Sequence, residues 1–430
     1  MLFLLKVWKR LAPSSTNYSY IMAIISPFRA LRPTSELAPN VASVPYDVLN
    51  SAEARVAAGN NPYSFLHITK AEIDLPEGTD IHSDKVYHKA ADNLFIFQDN
   101  KILIQDEKPA YYIYELTMDG RKQTGLVCVS SVADYENNII KKHELTRPEK
   151  ELDRINHMRI THAQTGNVFL AYKSNISLSQ LISNWKEAHE AVYDFIAEDG
   201  VGHRVWIVHD PNTMAEITLI FQKQIPSTYI ADGHHRAASA AKVKNALGEQ
   251  KNPEAAWFLT TLFPSDELHI LDYNRVVKDL NGLSAQAFVK KLDENFTMEK
   301  SVTAFSPRHL HEFGMYLEGS WYRLESRENS FPKDPIGILD VSILQENILR
   351  PLLGILDPRT DSRIDFVGGI RGLKELEKKV DSGQMKLAFS LYPVSMEQLF
   401  DIADSGQIMP PKSTWFEPKL RDGLLTHLIG

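Results

Sequence analysis

The chain has little cysteine, few long apolar runs and no excess of positive charge. Cys128 is the only cysteine among 430 residues, which excludes an intrachain disulfide and a metal site built on paired cysteines. No segment holds 18 consecutive apolar residues, the length that a membrane-spanning helix requires. The net charge of −8 disfavours a general nucleic-acid-binding protein, which needs a basic face. We therefore expect a soluble cytoplasmic protein without nucleic-acid or membrane partners, whose oligomeric state the sequence leaves open.

The first residues differ from the rest of the chain. "MLFLLKVWKRLAPSS" carries an apolar run too short to span a bilayer, and it lacks the charged-then-apolar order of a secretory signal. The ordered pattern begins at Met22, a candidate start, so we predict that residues 1–21 are an N-terminal extension. For the rest, the length is typical of two or three domains. We expect a core over 22–250 and a C-terminal mixed α/β part over 251–430.

Short apolar runs alternate with helical segments, a pattern that indicates an α/β or an α+β fold, and of these we expect α+β. Asn50 and Glu53 form a possible capping box at the start of a helix over 50–60. Asp119-Gly120 separates two runs of β-branched and aromatic residues, the pattern of a β-hairpin. Further strands are predicted over 167–173, 203–210, 255–264 and 361–369, and further helices over 144–163, 373–383 and the second half of 386–406, where Ser395 and Gln398 form another capping box.

The segment "YIADGHHRAASA" (229–240) holds the strongest functional pattern. The residues before Asp232 are typical of a strand, and those after Gly233 are strong helix formers up to Gly248. Asp232 is therefore predicted at the N-cap of a helix. The free N–H groups and the positive dipole of such a first turn favour anion binding.

The side chains of this turn suit polyphosphate better than zinc. Gly233 lets a ligand approach the backbone, and Arg236 can fork onto a phosphate. His234 and His235 can donate hydrogen bonds or transfer protons near neutral pH, but adjacent histidines diverge on a helix and rarely share one ion. Asp232 is a candidate metal ligand or a group that orients a hydroxyl. The alternative is an ordinary capped helix with surface histidines.

Three other segments carry candidate site residues. In "KKHELTRPEKELDR" (141–154), whose predicted helix start is signalled by Thr146, Pro148 and Glu149, the polar groups either contact phosphate or substrate or form a solvated charged face. In "MPPKSTWFEPKL" (409–420), prolines stiffen a loop whose lysine and hydroxyls suit a phosphate or Mg²⁺, without the glycines of a P-loop. In "VPYDVLN" (44–50), an aspartate either orients substrate or caps the next helix. The candidates are His143, Glu144, Arg154, Lys412, Ser413, Thr414 and Asp47.

The "YIADGHHRAASA" segment resembles the signature of a large bacterial and archaeal family known as a domain of unknown function. The similarity extends to "ISPFRALRPTSELAPNVASVPYDVLN" (25–50), "NPYSFLHI" (61–68), "KKHELTRPEKELDRINHMRITHAQTGNVF" (141–169) and "MPPKSTWFEPKLRDGLL" (409–425). It therefore covers essentially the chain from Met22 onward. The resemblance implies a nucleotide-binding core like that of the ParB/sulfiredoxin superfamily, with additional mixed α/β elements. Characterised members of the family are free serine kinases, which use ADP or ATP to phosphorylate L-serine to O-phosphoserine.

The resemblance also implies roles for individual residues. Gly233, His235 and Arg236 match the residues with which the superfamily holds nucleotide phosphates. His234 stands where sulfiredoxin has its catalytic cysteine, so sulfiredoxin chemistry is excluded. The serine kinases use a glutamate near the N-terminus as general base, and Glu36 is the candidate here.

The sequence thus predicts a nucleotide-dependent phosphotransferase acting on a small hydroxyl metabolite, with free L-serine as a candidate. ADP or ATP would donate the phosphoryl group with Mg²⁺, and Asp232, His234 and Glu36 would be catalytic. One alternative is a ParB-like nucleotide-binding switch that phosphorylates no metabolite. Another is a histidine-dependent hydrolase, for which His143 would have to supply a further metal ligand.

Overall fold

The structure, a computed structural model, describes residues 22–248 and 250–430. The predicted extension over residues 1–21 lies outside the described residues. None of the helices in the described ranges is both long and apolar enough to cross a membrane.

The strands are short and number β1 to β21 in chain order. They are β1 Ile25–Ser26, β2 Leu31–Pro33, β3 Leu103–Gln105, β4 Tyr111–Met118, β5 Arg121–Ser131, β6 Ile140–Lys141, β7 Ala163–Gln164, β8 Val168–Tyr172, β9 Tyr193–Ile196, β10 Gly202–Val208, β11 Thr228–Asp232, β12 Trp257–Pro264, β13 Ile270–Leu271, β14 Tyr273–Val277, β15 Phe296–Ser301, β16 Glu312–Leu317, β17 Ser320–Ser326, β18 Ile364–Gly368, β19 Leu387–Leu391, β20 Trp415–Phe416 and β21 His427–Leu428.

The α-helices are distributed between the strands. They are α1 Ala38–Val41, α2 Ser51–Ala58, α3 Leu66–Thr69, α4 Asp84–Asp99, α5 Val132–Glu136, α6 Pro148–Thr161, α7 Ile176–Ala188, α8 Pro211–Gln224, α9 His234–Leu247, α10 Ala285–Leu292, α11 Asp340–Leu344, α12 Gly372–Asp381 and α13 Met396–Asp404. The α+β class predicted from the sequence is confirmed.

Several local predictions are confirmed because short-range chemistry determines them. Both capping boxes are present, with Asn50 and Glu53 bonded reciprocally before α2, and Ser395 and Gln398 before α13. β4 and β5 form an antiparallel hairpin in which Met118 pairs with Arg121 across the two-residue turn. Both turn residues have positive φ, the conformation of a type I′ turn.

The larger sheet is mixed, with strand order β6-β11-β8-β12-β5-β4-β10-β9 and β1 paired to β5. Successive residues of β4 and β5 point to opposite faces, and both faces are buried. Helices α7, α8 and α9 cover one face, while α13 and the segment 416–425 cover the other. The strands of this sheet are therefore apolar on both sides.

The smaller sheet has the order β15-β17-β16-β19-β14-β18, with every pairing antiparallel. Strand β12 belongs to the larger sheet, and the strands of the smaller sheet all lie after residue 264. After α13 the chain returns to the larger sheet's side of the molecule. There β21 pairs with β7, and Asp422 forms a β-bridge with Ser43.

Candidate functional site

A cleft of about 660 Å³ lies between the two sheets. Its walls come from the end of β11, the start of α9, the end of β18 and the segment 412–421. The sequence-predicted residues that line it are Asp47, Glu144, Asp232, His234, Lys412, Ser413 and Thr414. Residues from distant parts of the chain thus meet at the helix start that the sequence indicates as an anion site.

The turn from strand to helix depends on Gly233. This residue has φ +98°, and a Cβ atom built on it would lie 3.1 Å from Nε of Arg236. A side chain is therefore disfavoured by both backbone conformation and space. The N-cap of α9 is Gly233, and no side chain caps the helix. The prediction that Asp232 is the N-cap residue is wrong, because its carboxylate interacts elsewhere.

Asp232 pairs with a lysine that the sequence analysis missed. Lys419 Nζ donates to Asp232 Oδ2 over 3.1 Å. Burial alone would raise the pKa of Asp232, but Lys419 and Arg236 hold it well below its usual range. The only sequence signal for Lys419 was its position within the proline-rich "MPPKSTWFEPKL" segment. A carboxylate held ionised in this way orients groups well but accepts a proton poorly.

Arg236 lies behind the turn and is not part of the cleft lining. Its side chain is 8% exposed, and Nη1 donates to the backbone carbonyl of Asn167. Its Nη2 lies 3.8 Å from Asp47 Oδ2 and 3.7 Å from Asp232 Oδ1. Arg236 therefore stabilises the turn and partly neutralises two carboxylates of the cleft wall.

His234 and His143 form a buried neutral pair at the edge of the cleft. Their rings meet edge to face with centroids 4.5 Å apart, and the backbone N–H of His143 donates to His234 Nε2 over 3.5 Å. Burial lowers the pKa of His143 to about 4. Burial and the neighbouring His143 hold the pKa of His234 well below its usual value. His234 is thus a neutral imidazole near pH 7.

Two cleft carboxyls have raised pKa values: Glu417, whose oxygens accept hydrogen bonds from Trp415 Nε1 and the Lys419 backbone N–H, and Glu144. The side chain of Glu144 is 43% exposed, and its Oε2 lies 3.9 Å from His234 Nδ1. The position of the carboxylate within the cleft removes part of its hydration and raises the pKa of Glu144, and although Lys412 opposes this shift, Asp232 adds to it. A raised carboxyl pKa brings a general base closer to the pH at which it works.

The side chain of His235 is hydrogen-bonded to the start of helix α6. Its Nε2 accepts the backbone N–H of Arg147, over 3.0 Å. Arg147 is the N-cap residue of α6, and Pro148 occupies the first position of that helix. The predicted role of Thr146 at this helix start is not seen, because its hydroxyl donates to the Glu151 side chain.

Arg421 is a further cleft residue that sequence analysis missed. Its Nη2 donates to Asp199, and its Nε donates to His203 Nε2 over 3.3 Å. Burial lowers the pKa of His203 to about 3, so the ring remains neutral and accepts this bond. The hydroxyl of Tyr114 lies 2.8 Å from His203 Nδ1. These contacts fix the guanidinium at the cleft wall.

A second cavity, of about 390 Å³, adjoins the cleft and shares Asp47 and Val48 with it. Arg154 lines this second cavity, where its guanidinium lies 3.8 Å from the ring centre of Tyr46 and pairs with Asp153 over 2.7 Å. Arg154 therefore lies outside the lining of the cleft, and it lines a smaller pocket together with Arg236.

Glu36, the candidate base from the resemblance, lies on an exposed turn just before α1. It is not among the residues that line the cleft. Across residues 22–248 and 250–430, no three His, Cys, Asp or Glu side chains are grouped as metal ligands.

Comparison with known proteins gives a family and distant structural likenesses. No curated protein matches this chain. A free serine kinase in complex with AMP has 12% sequence identity and a TM-score of 0.36, over 70% of this chain and 91% of that one. SbnI from Staphylococcus aureus, with a C-terminal truncation, has 10% identity and a TM-score of 0.35, over 69% and 85%. Likenesses of this size support no inference about activity.

The sequence family described as "Protein of unknown function (DUF1015)" matches residues 25–342. This span includes the β11–α9 turn but ends before β18 and the segment 412–421, which form the opposite wall of the cleft. Because the match covers more than half of the 430 residues, the chain belongs to the DUF1015 family.

Proposed function

We propose that the protein is a phosphotransferase that uses ADP or ATP to phosphorylate the hydroxyl group of a small metabolite. The observation that carries this proposal is the meeting of the first turn of α9 with Lys412, Lys419 and Arg421 in one cleft. Phosphoryl transfer depends mainly on positioning and on stabilising phosphate charge. A helix N-terminus facing three cations provides both.

The cleft fits a nucleotide in size and chemistry. Its volume of about 660 Å³ lies within the common range for small-molecule sites. Tyr273, Phe366 and Trp415 line the side formed by the smaller sheet and the 412–421 segment, and aromatic faces suit a nucleobase. The phosphates would then lie toward Lys412, Lys419 and the start of α9.

Glu144 is the general base in this proposal. It lines the cleft, its pKa is raised, and it lies beside the neutral imidazole of His234. Asp232 is less suited, since Lys419 holds it ionised. Glu36 remains the candidate from the resemblance, although its exposed turn lies outside the cleft lining.

The second cavity is the proposed acceptor site. It carries charges of both signs, including Lys70, Glu72 and Arg154, and it meets the cleft at Asp47. A small zwitterion with a hydroxyl group, such as L-serine, is a suitable acceptor. Mg²⁺ would enter with the nucleotide, because it commonly combines one or two carboxylates with substrate phosphates. Asp232, the metal ligand that the sequence predicts, and Asp47 would hold it. When bound, the ion would neutralise phosphate charge.

Calorimetric titration with ADP and ATP in the presence of magnesium, followed by a phosphoserine assay with L-serine, tests this proposal. We expect nucleotide binding and phosphoserine formation. Binding without phosphoserine would point to another acceptor or to the alternative, a ParB-like nucleotide-binding switch. Testing a panel of small hydroxyl compounds would separate these two outcomes. Absence of nucleotide binding would reject the proposal.

A further inference from the structure

Arg275 is buried on an inner strand of the smaller sheet, next to the edge strand β18. It lies on β14, which is flanked by β18 and β19, and only 3% of its surface is exposed. Its guanidinium bonds to backbone carbonyls instead of a carboxylate: Nη1 donates to Tyr273, while Nη2 donates to Lys412 over 2.9 Å and to Pro411 over 3.3 Å. A buried cation with this bonding pattern is costly to desolvate.

The carbonyls that Arg275 holds belong to the loop that presents Lys412 to the cleft. Lys412 has φ +57°, a left-handed conformation that is uncommon for residues other than glycine. Such a backbone persists only when its surroundings hold it. The hydrogen bond from Arg275 to the Lys412 carbonyl provides that restraint, and the bond from the Ser413 hydroxyl to the Pro410 carbonyl, 2.6 Å, closes the loop.

The aromatic surroundings fix the arginine itself. The guanidinium carbon lies 5.1 Å from the ring centre of Phe366 and 5.9 Å from that of Tyr273. The ammonium of Lys412 lies 5.8 Å from the ring centre of the same Tyr273. The two cations therefore share one aromatic support, and a displacement of Arg275 would alter both the backbone and the side-chain direction of Lys412.

We propose that Arg275 is a positioning residue, which holds the 410–414 loop so that the ammonium of Lys412 faces the phosphates of the bound nucleotide. This inference rests on the proposed function. Arg275 does not line the cleft itself and acts on the nucleotide through Lys412. The smaller sheet, which carries Arg275, thus takes part in nucleotide binding.

A double-mutant cycle tests the inference. Arg275→Gln is expected to weaken ADP binding about tenfold, and Lys412→Ala by at least as much. If Arg275 acts through Lys412, adding Arg275→Gln to Lys412→Ala will weaken binding by less than about twofold further. Independent, multiplied effects of the two substitutions would overturn the proposal. Arg275→Lys keeps the positive charge but loses the planar guanidinium that donates to several carbonyls. Its affinity for ADP should therefore lie between those of Arg275→Gln and the wild type.

Arg363→Gln is the matched control. Arg363 likewise donates to two loop carbonyls of the smaller-sheet half, those of Leu353 and Gly354, but it does not line the cleft. We expect ADP affinity in this variant to equal that of the wild type. Equal losses in the Arg275 and Arg363 variants would show that disturbance of the smaller-sheet half alone is responsible.

A second measurement does not depend on nucleotide binding. Trypsin cleavage of the Lys412–Ser413 bond, followed by mass spectrometry, should be faster in Arg275→Gln than in the wild type and in Arg363→Gln. If the wild type binds no ADP, the proposed function fails while this assay still tests the loop. Equal cleavage rates in all three proteins would overturn the positioning role of Arg275.

Discussion

Lys419 and Asp232 lie 187 positions apart in the chain, yet their side chains meet at 3.1 Å beside the first turn of α9. This contact joins the segment 412–421 to the β11–α9 turn. The ion pair holds the Asp232 carboxylate ionised next to a helix N-terminus. A bound phosphate would compete with this carboxylate for Lys419. We expect the ion pair to loosen when nucleotide binds.

Lys419→Met should weaken nucleotide binding by about 1.5–3 kcal/mol, the range for a hydrogen bond to a charged group. Lys386→Met is the matched control, because Lys386 also pairs with one carboxylate, that of Glu318 at 3.0 Å, away from the cleft. Titration calorimetry of both variants gives the comparison. An unchanged dissociation constant in Lys419→Met would place the phosphates elsewhere.

Gly233→Ala should destabilise the protein by about 1–3 kcal/mol, because it places a Cβ atom in a left-handed backbone and against Arg236. Gly248→Ala, at the other end of the same helix, tests the backbone contribution alone: Gly248 has φ +78°, and its Cβ would meet none of the described atoms within 4 Å. We expect a smaller cost there and intact nucleotide binding. Urea unfolding measures both free energies, and equal costs would contradict the close contact at Gly233.

Glu144→Gln should reduce kcat by about 10²–10⁴-fold, as expected for loss of a general base, while the nucleotide dissociation constant changes little. Glu36→Gln is the comparison variant, since Glu36 lies on an exposed turn outside the cleft lining. Steady-state kinetics with the acceptor that the activity assay identifies would distinguish them. A large loss in Glu36→Gln with normal turnover in Glu144→Gln would assign the base to Glu36.

Asp340→Asn should change the pH dependence of stability in a defined direction. Asp340 is 3% exposed, and burial raises its pKa from 3.8 to about 8. Between these values the folded protein holds a proton that the unfolded chain has lost, so this residue makes stability fall as pH rises. The stability of Asp340→Asn relative to wild type should therefore increase by about 1.4 kcal/mol per pH unit from pH 4 to 8. Denaturant unfolding at four pH values checks the slope, and a constant difference would contradict the raised pKa.

Some parts of the fold could be predicted from the sequence because neighbouring residues determine them. The capping box of Asn50 and Glu53, the Asp119-Gly120 hairpin turn and the end of α9 before Gly248 all agree with the structure. Each depends on backbone conformation and hydrogen bonds within a few residues. Local structure of this kind can be predicted from the sequence without knowledge of the rest of the fold.

Predictions about individual polar side chains were less secure. Asp232 was expected to cap α9, but Lys419 takes its carboxylate. His235 and Arg236 contact backbone groups of Arg147 and Asn167 and do not line the cleft, so their binding of phosphate stays a prediction. A polar group bonds to whichever partner the fold brings nearest, and buried groups must be paired. The spacing of residues along the chain does not indicate which partners these are.

The sequence by itself determined that a glycine turn joins strand β11 to helix α9, and the anion site at this turn stays a prediction. Only the tertiary structure decided what faces that turn. The chain returns to the larger sheet's side of the molecule through the pairing of β21 with β7 and the bridge between Asp422 and Ser43, which places Lys419 and Arg421 at the cleft. These contacts join residues more than 200 positions apart. Their geometry follows from the burial of apolar surface across the whole molecule, and no local pattern specifies it.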